Sequence, residues 1–429
     1  MITRRIAHLA RTQIDQWRSP EALERRSARR LAELLSHVFV HNDFYHSLWW
    51  EAGVRDPREL REPGALQRLP VVTKAQLKAA WPDTLLSRDR QLSEGRMHGS
   101  SGSSGRPFEV FVPDDAFDAF LAYQYRVFSM VGCRPWDRIV YLHGQPEDTG
   151  SYLGLFEAVH VCSALPTPEL ADAIIAARPD VLSSYVSRAM DLARHLGPNS
   201  PLRPKVISLN SEQSSAAERA WLSEVFGCPV HDDYGAEEVW MIASSCSVGG
   251  LHVHADNVKL ELLRADGSAC GAGETGSVVV TSLHNRAMPF VRYELGDEAA
   301  ASDERCPCGR GLPLLASLEG RQNDAFQLPD GARLSAGLLL GLVYAGDIST
   351  EIEDFRIVQD APDHATVLFV TGDETAARPT LEALGRRLSE ASDGQLAVDL
   401  RRVSSLSRAP GTKRSFACRR FGDDAVTAH

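Results

Sequence analysis

Between residues 138 and 283, short apolar runs alternate with stretches patterned for helix. RIVYLHG, DVLSSYV and KVISLN read as strands, and PELADAIIAA and AAERAWLSEVF as helices. Alternation of this kind predicts an α/β domain whose strands are joined by crossover helices. VKLELLRADG and GSVVVTSL read instead as antiparallel strands joined by turns, so the sheets are expected to be mixed and to end near residue 320. Beyond it, IEDFRIVQD, HATVLFVTG and LAVDLRRVSSL are strand-like and PTLEALGRRLSEA is helical, which is a small α+β pattern. A chain of 429 residues exceeds the size at which single cores stop growing. Two domains are therefore expected, a large one over 1–320 and a small one over 321–429.

Residues 1–60 read as helical, with Leu31, Leu34, Leu35 and Val38 on one stripe. Thr73 is the expected N-cap of a helix within 69–81, FEVFV at 108–112 a strand, and 114–130 a helix ending near Gly132. The net charge of -11 weighs against a nucleic-acid partner. The N-terminus lacks an apolar core of signal-peptide length and no run of 18 apolar residues occurs, so neither secretion nor a membrane span is expected. The cytoplasm is the default location. Eight cysteines in this length do not suggest a disulfide scaffold.

Five short motifs are dispersed along this frame. GSSGSSGR at 99–106 offers glycines for close backbone approach, and amides and hydroxyls that can enclose a phosphate, with Arg106 as an added cation. It is not a Walker loop, since GxxxxGK[ST] is absent. DDYGAEE at 232–238 offers the carboxylates Asp232, Asp233, Glu237 and Glu238 beside Tyr234 and Gly235. Magnesium-bound ATP calls for such oxygens, and adenine for a flat apolar surface. RYELGD at 292–297 carries Asp297, a candidate acceptor for ribose hydroxyls, and EGRQND at 319–324 carries Arg321. Lys413 lies in PGTKR at 410–414, where flanking Pro410 and Gly411 suggest a defined loop. Singly, each also reads as a flexible loop, a surface turn or a solvated basic tail. In this order they point to activation of a carboxylate with ATP.

Together the motifs resemble the adenylate-forming enzyme superfamily, especially phenylacetate–coenzyme A ligases and their relatives, over about residues 60–420. The resemblance implies a large N-terminal domain that makes an acyl-adenylate and a small C-terminal domain that rotates before a thiol captures the acyl group. It implies that Ser100, Ser101, Gly102, Ser103, Ser104 and Gly105 form the phosphate loop, with Arg106 where lysine is frequent. Ser211 and Glu212 would border adenine, Asp233, Tyr234 and Gly235 would lie by the nucleotide, and Asp297 would bind ribose. Glu238 would hold magnesium, Arg321 would approach phosphate or ribose beside a hinge, and Lys413 would be the adenylation lysine. Two departures stand out. Glu237 replaces the usual hydroxyl residue, and RYELGD lacks the usual threonine before its final Gly-Asp pair.

CSVGGLH supplies Cys246 and His252, and CPCGR supplies Cys306 and Cys308. Three thiolates and an imidazole match zinc in ligand type, though they also read as buried thiols and a surface histidine. The same two halves occur in metal-containing relatives, and four protein ligands would make the ion structural. His254 is the runner-up ligand, read otherwise as facing solvent or substrate. Cys133, Cys162, Cys228, Cys270 and Cys418 read as packing positions.

The expected reaction joins an aryl or arylacetic acid to ATP as acyl-adenylate, then passes the acyl group to coenzyme A and releases AMP. Tyr141, His143 and Phe156, with Ala236 and Glu237, are candidates for the acyl pocket. Adenylation of an amino-bearing or heteroaromatic acid, with transfer to a carrier-protein thiol or an amine, is the competing enzyme reading. A nucleotide-binding homologue without turnover is a third. Expected partners are the small acid and the thiol, with no nucleic acid or membrane, and a homodimer is compatible with the sequence.

Overall fold

The computed structural model describes residues 2–99, 108–143, 155–345, 351–406 and 416–421, apart from the side chains of residues 2 and 143. The chain divides into two compact units, one of residues 1–134 with 233–317 and the other of 135–232 with 318–429.

In the first unit the helix Asp114–Met130 is buried on nearly every face, including Phe117, Phe120, Tyr123, Val127 and Phe128. A helix enclosed in this way lies inside its unit rather than on it, and its buried Asp118 and Arg126 are held by ion pairs. The helix Ile2–Asp15 is tied to it by Arg4 and Arg5, both paired with the buried carboxylate of Asp118. The helix Pro20–His41 begins at Ser19, whose side chain accepts from the amide of Ala22, and buries Leu34, Leu35 and Val38, while Leu31 is half-buried. Thr73 and Gln76 form a reciprocal capping box on the helix Lys74–Ala80, as expected for that threonine.

The antiparallel strands Val258–Leu263, Thr275–Ser282 and Tyr293–Ser302 pair in chain order. Val72 joins Tyr293 through a short parallel bridge, which carries Lys74 to that strand's edge. Trp240–Ser245 pairs with Leu251–Val253, and Leu251 and His252 pair in turn with Leu315 and Leu314. Gly95–Gly99 and Glu109–Pro113 form an antiparallel hairpin on either side of the Ser/Gly loop.

In the second unit Ile139–His143, Ala158–Cys162, Val181–Tyr185 and Val206–Asn210 are all parallel, and Val206–Asn210 also pairs in parallel with the start of Val230–Ala236. Thr167–Ala177, Val186–Leu196 and Ala216–Phe226 are the connecting helices. Their apolar faces meet the strands through Leu170, Ile174, Met190, Leu222 and Phe226. This is the crossover pattern expected from the alternation. The C-terminal part is α+β: a four-stranded sheet in the order Ala397–Arg402, His364–Val370, Asp354–Ala361, Ala417–Arg419. The helices Ala336–Val343 and Glu374–Ala391 share its core through Leu339, Leu340, Leu381 and Leu388.

Candidate functional site

DDYGAEE and RYELGD, some sixty residues apart in sequence, are fastened together by two side-chain bonds. Tyr234 donates its hydroxyl to Asp297 Oδ2 at 2.8 Å, and Tyr293 donates to Glu238 Oε1 at 3.0 Å. Lys74 Nζ stands 3.3 Å from the same Glu238 oxygen. Of the five carboxylates that the sequence singled out in these motifs, Asp233, Glu238 and Asp297 are buried, and Asp232 and Glu237 are half-buried. Buried carboxylates persist only with donors supplied, and two tyrosines and a lysine supply them to Asp297 and Glu238. Tyr293 and Lys74 were not read from the sequence; their signal lies only in the fold.

The backbone between the two motifs is constrained. A Cβ on Gly235 would fall 2.6 Å from the carbonyl oxygen of Trp240, so only glycine permits the return of the chain after the bulge at Tyr234. Ala236 and Glu237 are half-buried at that turn. Trp240 holds φ at 60° and packs edge-on to Phe117 and flat against Phe120, with ring centroids 5.4 and 5.2 Å apart.

In the second unit Ser211 and Glu212 lie just past the carboxyl end of Val206–Asn210, the end at which α/β sheets bind ligands. Ser211 is held in the left-handed region at φ 66°. Glu212 reaches the N-terminus of Val186–Leu196, accepting from the Ser187 amide at 2.7 Å and its hydroxyl at 2.9 Å. Gln213 binds the Leu318 carbonyl at 3.0 Å, and a Cβ on Gly320 would lie 2.3 Å from Gln213 Oε1. LNSEQ and EGRQND are therefore brought together, with Arg321 exposed at the end of Leu314–Arg321. Gln213 is a further residue that the sequence reading passed over.

Tyr141 stacks on His160 of the neighbouring strand, with centroids 5.4 Å apart and planes 9° from parallel. Phe156 precedes Ala158–Cys162 and donates its amide to Pro135, which puts it at the amino end of these strands. Ser211 and Glu212 are at the opposite end, about 16 Å away along a five-residue strand. Ser100, Ser101, Gly102, Ser103, Ser104, Gly105 and Arg106, the side chain of His143, and Lys413 lie outside the described residues.

The Cys/His quartet converges. The ligand atoms of Cys246, His252, Cys306 and Cys308 all lie within 4.8 Å of one another. Cys246 Sγ and Cys306 Sγ are 3.6 Å apart, and Cys308 Sγ and His252 Nε2 are 3.3 Å apart. A tetrahedral zinc with Zn–S near ~2.3 Å and Zn–N near ~2.0 Å spans edges of roughly 3.5–3.8 Å, so the four donors fit the ion. His252 Nδ1 faces the Leu312 carbonyl at 3.3 Å, leaving Nε2 to the cluster. Burial lowers the His252 pKa, which keeps the ring neutral.

His254 stands apart from that quartet and, contrary to expectation, does not face solvent. It is fully buried, with Nε2 3.0 Å from Ser244 Oγ and Nδ1 3.4 Å from Arg126. Burial, helped by the Arg126 charge, pushes its pKa down to about 3. Cys162 is exposed rather than packed, whereas Cys228 and Cys418 are buried as expected.

No family model matches the chain. Among characterised proteins, it is 28% identical over 321 residues to the phenylacetate–coenzyme A ligase of Thermus thermophilus, covering 71% of each chain. It is 26% identical over 296 residues to the Escherichia coli enzyme of the same name, covering 65% of this chain and 67% of that one. Among solved structures, 2-hydroxyisobutyryl-CoA ligase in its postadenylation state superposes with a TM-score of 0.76 at 21% identity, over 90% of this chain and 88% of that one. The anthranilate CoA ligase AuaEII gives 0.56 at 17%, over 74% and 65%. The fold is that of adenylate-forming enzymes. In sequence the chain is similar to phenylacetate–coenzyme A ligases of that superfamily.

Proposed function

We propose that this protein is an AMP-forming acid–thiol ligase: it activates a carboxylic acid with ATP and transfers the acyl group to coenzyme A. The observation that carries the reading is the double fastening of DDYGAEE to RYELGD, through Tyr234–Asp297 and Tyr293–Glu238. A carboxylate oxygen of the acid attacks the α-phosphorus of ATP, and the bond to pyrophosphate breaks. The thiol sulfur then attacks the acyl carbon, the bond to AMP breaks, and the thiol proton leaves to solvent.

In this reading Glu238 holds magnesium, whose chemistry is to neutralise phosphate charge. Tyr293 and Lys74 fix Glu238 through Oε1, and the carboxylate so held would be the one to hold the ion. Asp297, oriented by Tyr234, accepts from ribose hydroxyls. Ser211 and Glu212 border the adenine, and Arg321 approaches phosphate or ribose. The 99–106 loop encloses phosphate, and Lys413 answers the charge that builds during adenylation. Residues 321–429 change orientation between the two steps. Cys246, His252, Cys306 and Cys308 hold a structural zinc, remote in role from the chemistry.

The acid is aryl or arylacetic. A half-buried Glu237 at the position expected for a hydroxyl residue supports an amino-bearing aromatic acid as the second reading. The deciding experiment is ATP–pyrophosphate exchange over a panel of aryl, arylacetic and amino-aryl acids, with mass spectrometry of products formed with coenzyme A, carrier protein and amines. Acid-dependent exchange and a coenzyme A thioester are expected, with exchange lowered on the order of a hundredfold in Glu238→Gln. ATP binding without exchange for any acid would overturn the proposal.

A further inference from the structure

Well away in sequence from every motif used so far, the C-terminal end of the helix Pro20–His41 carries two histidines one turn apart, His37 and His41. Their rings lie 4.6 Å apart at 32°. Asp89 approaches from a separate segment, with Oδ1 3.6 Å from His37 Nε2. One ligand atom from each of the three lies within 4.8 Å of the others. His37 Nε2 is buried without a hydrogen bond, a cost normally relieved by a partner or an ion.

The segment bearing Asp89 is pinned to the helix end by its backbone. The Arg88 amide donates to the His41 carbonyl at 2.8 Å, Asn42 Nδ2 donates to the Leu85 carbonyl at 2.6 Å, and the Ser87 amide donates to Ala287 at 2.8 Å. The three side chains are thus juxtaposed before any ion arrives. His41 and Asp89 retain the exposure needed to close the remaining distance. The helix's C-terminal dipole favours a cation there. Nearby Arg90 and Arg286 oppose one, but each is paired, Arg90 with Asp115 at 3.2 Å and Arg286 with Glu33 at 3.7 Å.

We propose that His37, His41 and Asp89 form a second metal site, which takes a divalent transition ion such as zinc, nickel or cobalt. Two imidazoles and one carboxylate suit ions of this class better than magnesium or calcium, which prefer all-oxygen sets. Three protein ligands leave positions for water, so binding is weaker and more exchangeable than at a closed four-ligand site. Burial of His37 lowers its pKa and keeps its lone pair available near neutrality.

Cobalt alone, titrated into the purified full-length chain, is the test. Thiolate-bound cobalt has intense near-ultraviolet charge-transfer bands that a nitrogen- and oxygen-ligated ion lacks, so the two sites are read separately. The expected result is one cobalt per chain bound without those bands. Its affinity should fall at least about tenfold in His41→Ala and in Asp89→Asn. Both variants alter partly exposed side chains and should keep the parent's melting temperature and any thiolate-bound metal. No cobalt bound outside the thiolate site, or unchanged affinity in both variants, overturns the proposal.

Discussion

Arg126 and Asp256 are both buried, 0% and 1% exposed, and joined by two bonds of 2.7 Å. The arginine also binds the Thr12 carbonyl, and the Asp256 carbonyl accepts from Tyr123 and Arg30. Removing one partner strands a charge where water cannot reach it. Asp256→Asn should therefore cost about 3–5 kcal/mol, whereas Asp256→Asn combined with Arg126→Met should recover much of that loss. Urea midpoints measure both, and a single variant as stable as the parent would refute the assignment. Sequence reasoning could not see this pair, because its members are 130 residues apart and lie in no motif. It could offer Glu238 as a candidate carboxylate, through the motif that carries the resemblance. Its donors, 55 and 164 residues distant, came only with the fold. His254 misled for a related reason: it is close in sequence to His252 but lies just past the end of Leu251–Val253, where its ring meets Ser244 and Arg126 instead of the cysteines.

Elements with a strong period were the legible ones. The helix foreseen over 114–130 is Asp114–Met130, and the capped helix after Thr73 is Lys74–Ala80. The helix Ala336–Val343 went unread because GLLLGLV is apolar on every side and so carries no phase. The two-residue strands Phe326–Gln327 and Arg333–Leu334 are too short for an alternation to register. The quartet of Cys246, His252, Cys306 and Cys308 was legible by residue type, and it joins a tight turn to a loop that lack regular pairing of their own. The Cys246 amide bonds Gly250, and a Cβ on Gly250 would lie 2.8 Å from Cys306 Sγ, so the turn has no slack. Cys306→Ser should lower bound zinc from about one ion per chain to a small fraction of that. It should also destabilise the chain by at least about 2 kcal/mol, since loss of a structural metal is among the large single-site effects. Metal analysis beside a thermal melt checks both, and a zinc-free parent would remove the metal from the account.

Across the whole chain, stability should fall as the solution is acidified from neutrality, and His284 gives the sign. Its ring is packed among Tyr123, His8, Arg30 and Asp256, and burial, with help from Arg30, pushes its pKa down to about 3. Unfolded, the same ring titrates at 6.5, so below that pH the unfolded chain takes up a proton that the folded chain refuses. The contribution is complete above pH 6.5 and is lost progressively towards about 3, by at most about 1.4 kcal/mol per pH unit for this one group. His8 is lowered as well, first by burial, and adds in the same direction. Glu261, raised by burial, works in the opposite sense, but only from its unfolded value of 4.5 upward to its folded one. Zinc ligands competing with protons would give the same slope as His284, so a pH titration of the parent alone cannot isolate the ring. Comparing the urea midpoints of the parent and His284→Gln at pH 7.5 and 5.5 does so, because glutamine can still bond Tyr123 but has no proton to gain. The variant should lose less stability between those two conditions than the parent does, and an identical loss would exclude His284 as a source of the acid sensitivity.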